Sequence, residues 1–474
     1  MEGYHVENFG CRASHADGDG LAAELARRGR GVVLARDAEL VVLNTCAVTA
    51  EAESKARAYL RRVKRENPHA RVVVTGCYAQ RAPEEVARLA GVDAVVGNSH
   101  KALLAQVVGR LEQARGSGLT GGAGFIPLTE VAGAGGVPVL ADDRFAHANL
   151  AAENLAASEN TRPNLKVQDG CGNRCSFCII PTTRGGSRSV SLETVLDRVR
   201  SFVEAGGKEL VLSGINLGRW GRDFAPPSRL EDLVGAILEQ TALARLRISS
   251  VEPMDWSAEL LALYRQYGRE DAAPTGPRLS RHAHLPLQSG SDAILRAMHR
   301  RYRPWHYAEK LAMIREAIPE AAIGADVMVG FPGETDALFE ESYRFIAEQP
   351  FTYLHLFPFS ARPGTAAWPL AREKPVRGEA KNERMTRLRT LMESKEAAFR
   401  EGMSQGSLFV ITLKASNEHR AHGMTPALSD NFLGIKIAGD FSANQMLRAA
   451  VSHRKNDENG GTATGWKAIP MTEG

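Results

Sequence analysis

The segment "NLKVQDGCGNRCSFC" (residues 164–178) joins a short apolar strand to three cysteines at Cys171, Cys175 and Cys178. A structural zinc ion takes four ligands, usually as two separated pairs. No cysteine follows Cys178, and the histidines that could complete a zinc site, His282 and His284, lie on a predicted strand far downstream. Three thiolates suit a four-iron cluster whose remaining iron stays open for another ligand. The alternative is three incidental cysteines on a loop.

Strands and helices alternate on both sides of this segment. In residues 1–112, the β-rich runs "YHVENFG", "AELVVLNT", "ARVVVTG" and "VDAVVGN" are separated by helical stretches. Such alternation predicts a parallel sheet covered by helices on both faces. Residues 161–376 contain six further strand–helix units. A closed barrel needs eight, so we predict an open or partial barrel of parallel strands.

The other segments complete an α/β chain. Residues 113–160 are rich in glycine and polar residues, which predicts a linker or insertion. Residues 377–404 are charged and amphipathic and predict one long connecting helix. Residues 405–474 carry the runs "SLFVITLKA" and "FLGIKIAGD", which indicate a small β domain, and end in a polar tail that we expect to be flexible.

A second set of three cysteines is dispersed along the first domain. Cys11, Cys46 and Cys77 each come just after a β run, in "YHVENFGC", "ELVVLNTC" and "ARVVVTGC". The carboxyl ends of parallel strands share one edge of a sheet, so these three thiols are expected to meet in space. The prediction is a second three-cysteine metal site. The alternative is three buried cysteines that pack as small hydrophobes.

Composition limits the class of protein. Six cysteines in 474 residues do not make a disulfide framework, and in a reducing compartment clustered cysteines favour metal or redox chemistry. The first residues show no signal-peptide pattern, and no stretch is apolar enough to span a membrane. We therefore expect a cytoplasmic protein without a membrane contact. The net charge of +4 neither demands nor excludes nucleic acid.

The spacing CxxxCxxC on the first loop of a six-unit barrel resembles that of the radical S-adenosylmethionine superfamily. Over about residues 4–366 the chain closely resembles the methylthiotransferases of that superfamily. The resemblance rests on "NTCAVTAEAESKAR", "VTGCYAQ", "VVGN", "QDGCGNRCSFCIIPTTRGGSRS", "LPLQSGSDAILRAMHRRYR", "GADVMVGFPGET" and "FPFSARPGT". It implies an N-terminal methylthiotransferase domain, a radical S-adenosylmethionine barrel over 161–376 and, over 405–474, a divergent form of the family's small β-barrel RNA-binding (TRAM) domain.

The resemblance also implies an activity. The motifs look most like the branch that acts on threonylcarbamoyladenosine, so the implied reaction is insertion of a methylthio group at C2 of that base at position 37 of tRNA. Two alternatives within the family are isopentenyl-adenosine 37 of tRNA and an aspartate of a ribosomal protein. An alternative from another class is a non-enzymatic iron–sulfur module that binds RNA.

Cofactor roles follow from the same resemblance, which implies two [4Fe-4S] clusters and S-adenosylmethionine. One cluster would be held by Cys171, Cys175 and Cys178, and an auxiliary cluster by Cys11, Cys46 and Cys77. Six residues are candidates for contact with S-adenosylmethionine: Phe177, Gly214, Asn216, Glu252, Gln288 and Asp326. Phe177 either borders the adenine or only packs over the cluster, and Glu252 is expected at the ribose hydroxyls. A glycine such as Gly214 more often marks an ordinary turn, and Gln288 and Asp326 are equally compatible with structural roles.

The implied partner is tRNA, through its anticodon stem-loop with the modified adenosine 37. Arginines interleaved with aromatic residues can contact phosphates and stack on bases. The candidate RNA-binding residues are Arg184, Arg188, Arg300, Arg301 and Arg303. The reaction also implies an electron donor such as flavodoxin or ferredoxin and a source of sulfur. We expect a monomer.

Overall fold

The computed structural model describes residues 3–116, 131–132, 137–145, 160–403, 406–452 and 467–470. These residues fall into two compact units. Unit 1 contains the described part of Met1–Ala157 together with Lys166–Val190 and Ser360–Pro369. Unit 2 contains the described parts of Ser158–Leu165, Ser191–Phe359 and Leu370–Gly474. Among the described residues, we find no helix that is both long enough and apolar enough to cross a membrane.

Unit 1 is built on a parallel sheet with helices between its strands. Its first elements are β1 (Gly3–Asn8), α1 (Arg12–Arg27), β2 (Gly31–Val32), β3 (Leu40–Thr45), α2 (Ala50–Glu66), β4 (Arg71–Gly76), α3 (Cys77–Arg81), α4 (Pro83–Ala87), β5 (Ala94–Gly97), α5 (Leu104–Gly116), β6 (Val131–Ala132) and β7 (Pro138–Leu140). The chain continues with β8 (Asn164–Asp169), α6 (Ile180–Arg184) and β9 (Arg188–Ser189). A 3-10 turn, Asn98–Leu103, links β5 to α5.

The strand order in this sheet is β2-β1-β3-β4-β5-β7-β6, and all pairs are parallel except β6 with β7. All six residues of β3 are buried, as its continuous apolar run "LVVL" requires of a strand covered on both faces. Thr49 caps α2 by accepting a hydrogen bond from the Ala52 N–H at 3.1 Å. The predicted parallel α/β sheet is confirmed.

Part of the predicted linker belongs to this sheet. Residues 138–140 form β7, which pairs with β5, and the side chains of Val139 and Leu140 are buried. Because glycines surround this short apolar run, the sequence pattern does not predict a strand here. Within the predicted linker or insertion, this stretch is thus an ordered part of the sheet. Residues 117–130, 133–136 and 146–159 lie outside the described part of the chain.

Unit 2 continues the alternation of strands and helices, and the division between the units passes through β8 and through the helix Ala367–Glu373. Its elements up to the long helix are α7 (Leu192–Glu204), β10 (Glu209–Gly214), α8 (Leu230–Gln240), β11 (Arg245–Ile248), α9 (Ala258–Tyr267), β12 (His282–Gln288), α10 (Asp292–Ala297), α11 (Pro304–Ala317), β13 (Ala322–Val329), α12 (Asp336–Glu348), β14 (Tyr353–Pro358), α13 (Ala367–Glu373) and α14 (Gly378–Gly402). Strand β10 pairs with β11, and β12-β13-β14 form a second parallel set.

The last elements of unit 2 are β15 (Ser407–Thr412), α15 (Asn417–Ala421), β16 (Met424–Ser429), β17 (Gly434–Ala438), β18 (Met446–Ser452) and β19 (Lys467–Pro470). The five strands close into a small, mostly antiparallel barrel in the order β15-β16-β17-β19-β18. Its core includes Val410, Ile435 and Ile437. The small C-terminal β domain expected from the sequence is present.

The β16–β17 turn of the small barrel is anchored by buried charges. Arg281 donates to the Asp430 carboxylate at 2.6 and 3.2 Å, and Arg247 donates to the Asp430 carbonyl oxygen at 3.1 Å. The Phe432 ring lies 4.4 Å from the His282 ring, centroid to centroid. Because these contacts join the turn to β11 and β12, the small barrel and the strand–helix segment form one compact unit.

Candidate metal centre

The first cysteine triad lies at one edge of the sheet of unit 1. Strands β1, β3 and β4 are parallel neighbours, with Asn8 opposite Asn44 and Thr45 opposite Gly76. Cys11 occupies the N-cap of α1, Cys46 directly follows β3, and Cys77 begins α3 immediately after β4. The structure therefore brings these three cysteines to the shared carboxyl edge, as their position after each strand implies.

Polar groups surround the sulfur atoms of this triad. The Asn98 side-chain amide donates to Cys77 Sγ at 3.3 Å, and the Val48 N–H donates to Cys46 Sγ at 3.4 Å. Burial, together with the neighbouring Cys77 and Cys11, raises the pKa of Cys46 to about 12. A thiol this reluctant to ionise gives up its proton when a metal replaces it, because metal binding deprotonates a coordinating thiol. The donor set suits metal ligation.

Two glycines next to the first triad allow close contacts that a side chain would block. Gly76 has φ +94°, and a Cβ there would lie 2.3 Å from the Thr45 carbonyl oxygen. Gly10 has φ +112°, and a Cβ there would lie 3.0 Å from Cys46 Sγ. Glycine tolerates this backbone region and leaves the approach to the sulfur open. The loops after β1 and β4 are therefore shaped around the triad.

The second triad lies on the loop that follows β8, also within unit 1. Gly170 has φ +74°, and a Cβ there would lie 1.9 Å from the Gly186 carbonyl oxygen, so a side chain at this turn is excluded. The Cys171 N–H donates to the Gly185 carbonyl oxygen at 3.0 Å, and the Cys178 N–H donates to the Cys175 carbonyl oxygen at 3.1 Å. These bonds close the loop that carries the three thiols.

Neither cysteine triad belongs to a group of closely spaced ligand atoms in the described part of the chain. In the described part of the chain, the ligand atoms of one trio lie within 4.8 Å of one another, and that trio contains no cysteine. Thiolates bound 2.3 Å from one zinc ion would be only about 3.8 Å apart. A donor set of three thiolates fits a polynuclear cluster, in which each thiolate ligates its own iron.

A buried group of five charged side chains lies beside both triads, and we call it the charge network. Its members are Asp17, Lys101, Lys166, Asp169 and Arg184. Arg184 donates to Asp169 at 2.9 Å and to Asp17 at 3.0 Å. Lys101 donates to Asp17 at 2.8 Å, and Lys166 pairs with both carboxylates. Three cations and two carboxylates give a net charge of +1, which favours anionic thiolates nearby.

The electrostatics of the charge network agree with its geometry. Burial alone would raise the pKa of Asp17, but the three surrounding cations outweigh it and hold that pKa well below its usual value. Burial alone would lower the pKa of Arg184, but Asp169 and the neighbouring thiols Cys77 and Cys11 raise it well above the usual value. Burial outweighs the attraction of Asp17 and lowers the pKa of Lys101. Asp17, Asp169 and Arg184 are therefore charged at neutral pH, and buried charges persist only when they are paired.

Two side chains connect the triads. The Asn98 amide that donates to Cys77 Sγ also donates to the Thr183 carbonyl oxygen at 2.9 Å, within α6. Arg184 donates to Ser14 Oγ at 3.2 Å, and Ser14 Oγ lies 3.7 Å from Cys11 Sγ. Hydrogen bonds to ligand sulfur atoms tune a cluster. The loop after β8 and the first triad thus share one hydrogen-bonded framework.

The predicted RNA contact at Arg184 needs correction. The residue is 1% exposed, and its guanidinium is committed to Asp169, Asp17 and Ser14. Its sequence position beside the cysteine loop suggested an exposed cation, whereas its partners come from β8 and α1. Arg184 therefore belongs to the charge network and is not available to a phosphate.

The other arginines differ in exposure. Arg300 is buried and pairs with Glu252, so the RNA contact predicted for it is also wrong. Arg301 is exposed, and Arg303 is partly exposed and lies 3.3 Å from Asp292. Arg188 is partly exposed and lies 5.6 Å from the centre of the Phe145 ring. Arg188, Arg301 and Arg303 therefore remain as candidates for RNA contact.

The candidate cofactor residues of unit 2 lie at or near strand ends. Gly214 ends β10, and Asn216 is buried at the start of the 3-10 turn Leu217–Arg219. Glu252 precedes the 3-10 turn Pro253–Asp255, and burial raises its pKa against the opposing effect of Arg300. Gly214 and Glu252 therefore follow the carboxyl ends of paired strands, the usual place for ligand contacts in such folds.

The remaining candidates differ in setting. Gln288 ends β12 with φ +67°, at the point where the register against β13 shifts. Asp326 lies within β13 and accepts a hydrogen bond from His355 at 3.3 Å. Phe177 lies on the cysteine loop of unit 1 and is partly buried.

Sequence reasoning missed Asn98, Ser14 and most of the charge network. Two signals could have drawn attention to the network. Lys166 interrupts the apolar strand "NLKVQD", and Asp17 lies on the buried face of α1. A charged residue at a buried position requires partners. Nothing in the sequence names those partners.

Comparison with known proteins agrees with this geometry. Residues 3–97 match Uncharacterized protein family UPF0004, and residues 165–346 match the Radical SAM superfamily. Threonylcarbamoyladenosine tRNA methylthiotransferase MtaB of Aquifex aeolicus (strain VF5) is 34% identical over 94% of this chain and 99% of its own length. The protein of the same name from Bacillus subtilis (strain 168) is 33% identical over 91% of this chain and 89% of its own.

A relative with a different printed name also matches. The tRNA-2-methylthio-N(6)-dimethylallyladenosine synthase of Erythrobacter litoralis (strain HTCC2594) is 31% identical over 94% of this chain and 95% of its own length. Among solved structures, the radical S-adenosylmethionine methyltransferase TsrM from Kitasatospora setae superposes with a TM-score of 0.57 at 15% identity, covering 78% of this chain and 75% of that one. At this identity the likeness shows the fold alone.

The Radical SAM match covers the cysteine loop and the strands that follow it, and membership of this superfamily implies a [4Fe-4S] cluster and S-adenosylmethionine. The UPF0004 match covers the sheet that presents the first triad. Identity above 30% over almost the full length of curated relatives places both segments in one enzyme family. The chain belongs to the methylthiotransferase family of radical S-adenosylmethionine enzymes, in its MtaB-like branch.

Proposed function

We propose that this protein is a tRNA methylthiotransferase that inserts a methylthio group at C2 of N6-threonylcarbamoyladenosine at position 37. The single observation that carries the proposal is the presence of two three-cysteine sites within one unit, joined by the charge network. The printed names of the Aquifex aeolicus and Bacillus subtilis relatives support the choice of base. We further propose that the protein works in the cytoplasm as a monomer.

Each triad is proposed to bind a different iron–sulfur cluster. Cys171, Cys175 and Cys178 would hold the cluster that binds S-adenosylmethionine, and the three cysteines at the sheet edge would hold an auxiliary [4Fe-4S] cluster. When bound, the first cluster and S-adenosylmethionine supply the one-electron chemistry that an inert aromatic C–H bond requires. An electron donor of the flavodoxin or ferredoxin class and a source of sulfur complete the scheme.

The other residues of unit 1 position and shield these groups. Ser14 and Asn98 lie against ligand sulfur atoms of the auxiliary site, and the charge network places a net positive charge beside its anionic thiolates. Glycines at positions 10, 76 and 170 admit the close approach of backbone to the ligand loops. In unit 2, we assign Glu252 to the ribose hydroxyls of S-adenosylmethionine and Gly214 and Asn216 to its methionine part.

On the RNA side, we propose that Arg188, Arg301 and Arg303 contact phosphates of the anticodon stem-loop. Contacts of this kind release counterions, so affinity should fall steeply with salt. Each substitution of one of these arginines should weaken binding uniformly across tRNA sequences and lower the salt dependence by about one counterion.

Mass spectrometry of tRNA nucleosides tests the proposed function. A strain that lacks this gene should lose the methylthio form of threonylcarbamoyladenosine, and the wild-type gene should restore it. A Cys175→Ala gene is the matched control and should restore nothing. Persistence of the methylthio nucleoside in a deletion strain with no second enzyme would refute the proposal.

The same experiment decides between substrates. The Erythrobacter litoralis relative supports isopentenyl-adenosine as a second candidate. Loss of the methylthio-isopentenyl nucleoside with retention of the threonylcarbamoyl one would establish that candidate instead. A non-enzymatic RNA-binding module predicts no cofactor cleavage, so formation of 5'-deoxyadenosine by the reduced, reconstituted protein excludes it.

A further inference from the structure

Three polar side chains lie side by side on the parallel strands β12, β13 and β14 of unit 2. Asp326 of β13 is opposite His355 of β14 and opposite Pro286 of β12. His284 precedes Pro286 by two residues, and side chains two positions apart in a strand point to the same face. One ligand-type residue from each of three neighbouring strands therefore faces the same side of the sheet.

The distances within this trio match those around a metal ion. His284 Nε2 lies 3.5 Å and His355 Nδ1 3.3 Å from Asp326 Oδ1. The two imidazole centroids are 5.1 Å apart, and the ligand atoms of all three residues lie within 4.8 Å of one another. Two ligands bound 2.0–2.1 Å from zinc at the tetrahedral angle would be about 3.4 Å apart. The two histidine–carboxylate separations therefore already match tetrahedral coordination of one ion.

The trio combines a rigid part with an accessible part. His284 is buried and stacks on the Tyr353 ring at 5.9 Å, and Tyr353 is itself held by a 2.7 Å hydrogen bond to His282. The His355 side chain is 56% exposed, which provides an entry path. Burial would raise the pKa of Asp326, but His355, His284 and Arg300 outweigh it, so the carboxylate is ionised at neutral pH.

We propose that His284, Asp326 and His355 bind one divalent transition-metal ion, in a site separate from the two cysteine triads. Two imidazoles and one carboxylate are the ligand set of zinc and non-haem iron(II) sites. Three protein ligands leave at least one coordination position open for water or for an oxygen of a bound ligand. This inference does not depend on the identity of the tRNA base.

The test uses the full-length protein with its iron–sulfur clusters reconstituted, so that the six cysteines are occupied. Zinc is added after treatment with a mild chelator, and its binding is measured by elemental analysis and titration. X-ray absorption at the zinc edge then identifies the ligands. We expect about one zinc ion per chain, bound by nitrogen and oxygen with imidazole scattering and without sulfur.

The decisive variant is His355→Ala, because this exposed side chain can be removed without opening the core. Zinc affinity should fall at least about tenfold, while iron content stays unchanged. His422→Ala is the matched control, since His422 is an exposed histidine outside the trio, with its Nδ1 2.8 Å from the Glu418 carbonyl oxygen. It should bind zinc like the wild type. Absence of zinc, sulfur in its first shell, or unchanged affinity in His355→Ala would each overturn the proposal and leave the trio as a hydrogen-bonded group only.

Discussion

Replacing Asp17 with asparagine tests whether the charge network stabilises unit 1. Asparagine has nearly the same shape, so the change removes charge rather than packing. In the wild type, Asp17 is shared by Lys101, Lys166 and Arg184, and three cations face two carboxylates. The variant leaves three buried cations with Asp169 alone, so the net charge rises from +1 to +2.

The expected cost follows from burial. Removing one partner of a buried ion pair costs about 3–5 kcal/mol, because the other charge remains without compensation. A tenfold change in an equilibrium corresponds to about 1.4 kcal/mol, so the opening equilibrium of the sheet should rise by about 10²- to 4 × 10³-fold. The second substitution Lys101→Met, made on the Asp17→Asn background, removes one uncompensated cation and returns the net charge to +1. The double variant should therefore be less destabilised than the sum of the single variants by about 1 kcal/mol or more.

Hydrogen exchange followed by mass spectrometry measures this locally. Peptides from β3 and β4 should lose protection in Asp17→Asn, whereas peptides from β15 and β16 in unit 2 serve as the internal control and should not change. Metal-free protein is used, so that cluster loss does not contribute. Unchanged protection of β3, or strict additivity in the double variant, would refute the view that charge compensation holds the network together.

Three further outcomes follow from the structure. Burial alone would raise the pKa of Glu209, but Arg247 and Arg245 hold this pKa below its usual value. The ionised Glu209 therefore stabilises unit 2 above the unfolded pKa of about 4.3, and this stabilisation is lost as the pH falls through the folded pKa. Acid unfolding of unit 2 should shift to higher pH in Arg247→Met, and an unchanged acid transition would contradict this. In Gly76→Ala, the added Cβ would collide with backbone at the first triad, so the auxiliary cluster should be lost. Since this is one of two clusters, about half of the reconstituted iron should be missing, and full iron content would contradict the prediction. Asp430→Asn should destabilise unit 2 by about 1.5–3 kcal/mol in urea titrations, since charged hydrogen bonds are lost, and a change within error would count against the anchor.

The positions of the cysteine ligands could be predicted from the sequence, because these positions follow from the topology of the sheet. Continuous apolar runs such as "LVVL" and "RVVV" specify parallel strands, and a cysteine after each strand must reach the same edge. Local spacing likewise specified the loop of the second triad. Periodicity and chain order were enough to predict these features, since each depends on neighbours in sequence.

The rest depends on contacts between distant parts of the chain. Arg184 pairs with Asp17 across 167 positions, and Arg362 pairs with Glu53 across 309. The residues next to Arg184 in the sequence therefore led to the wrong prediction that it is an exposed cation. The same limit applies to Arg300, whose partner Glu252 lies 48 positions away. Only the fold shows which buried cation has a carboxylate within reach.

The compact unit that holds both cysteine triads is assembled from three separate stretches of the chain. From the sequence, residues 1–112 resemble an independent domain. Yet Lys166, Asp169 and Arg184 come from a later stretch of the chain, and the two cations among them pair with the buried Asp17. A gene fragment cut between these stretches would leave Asp17 with Lys101 as the one remaining member of its three cationic partners. The auxiliary site therefore cannot be transferred as residues 1–112 alone. Any recombinant, truncated or grafted protein that is to retain this site has to include the β8–β9 stretch.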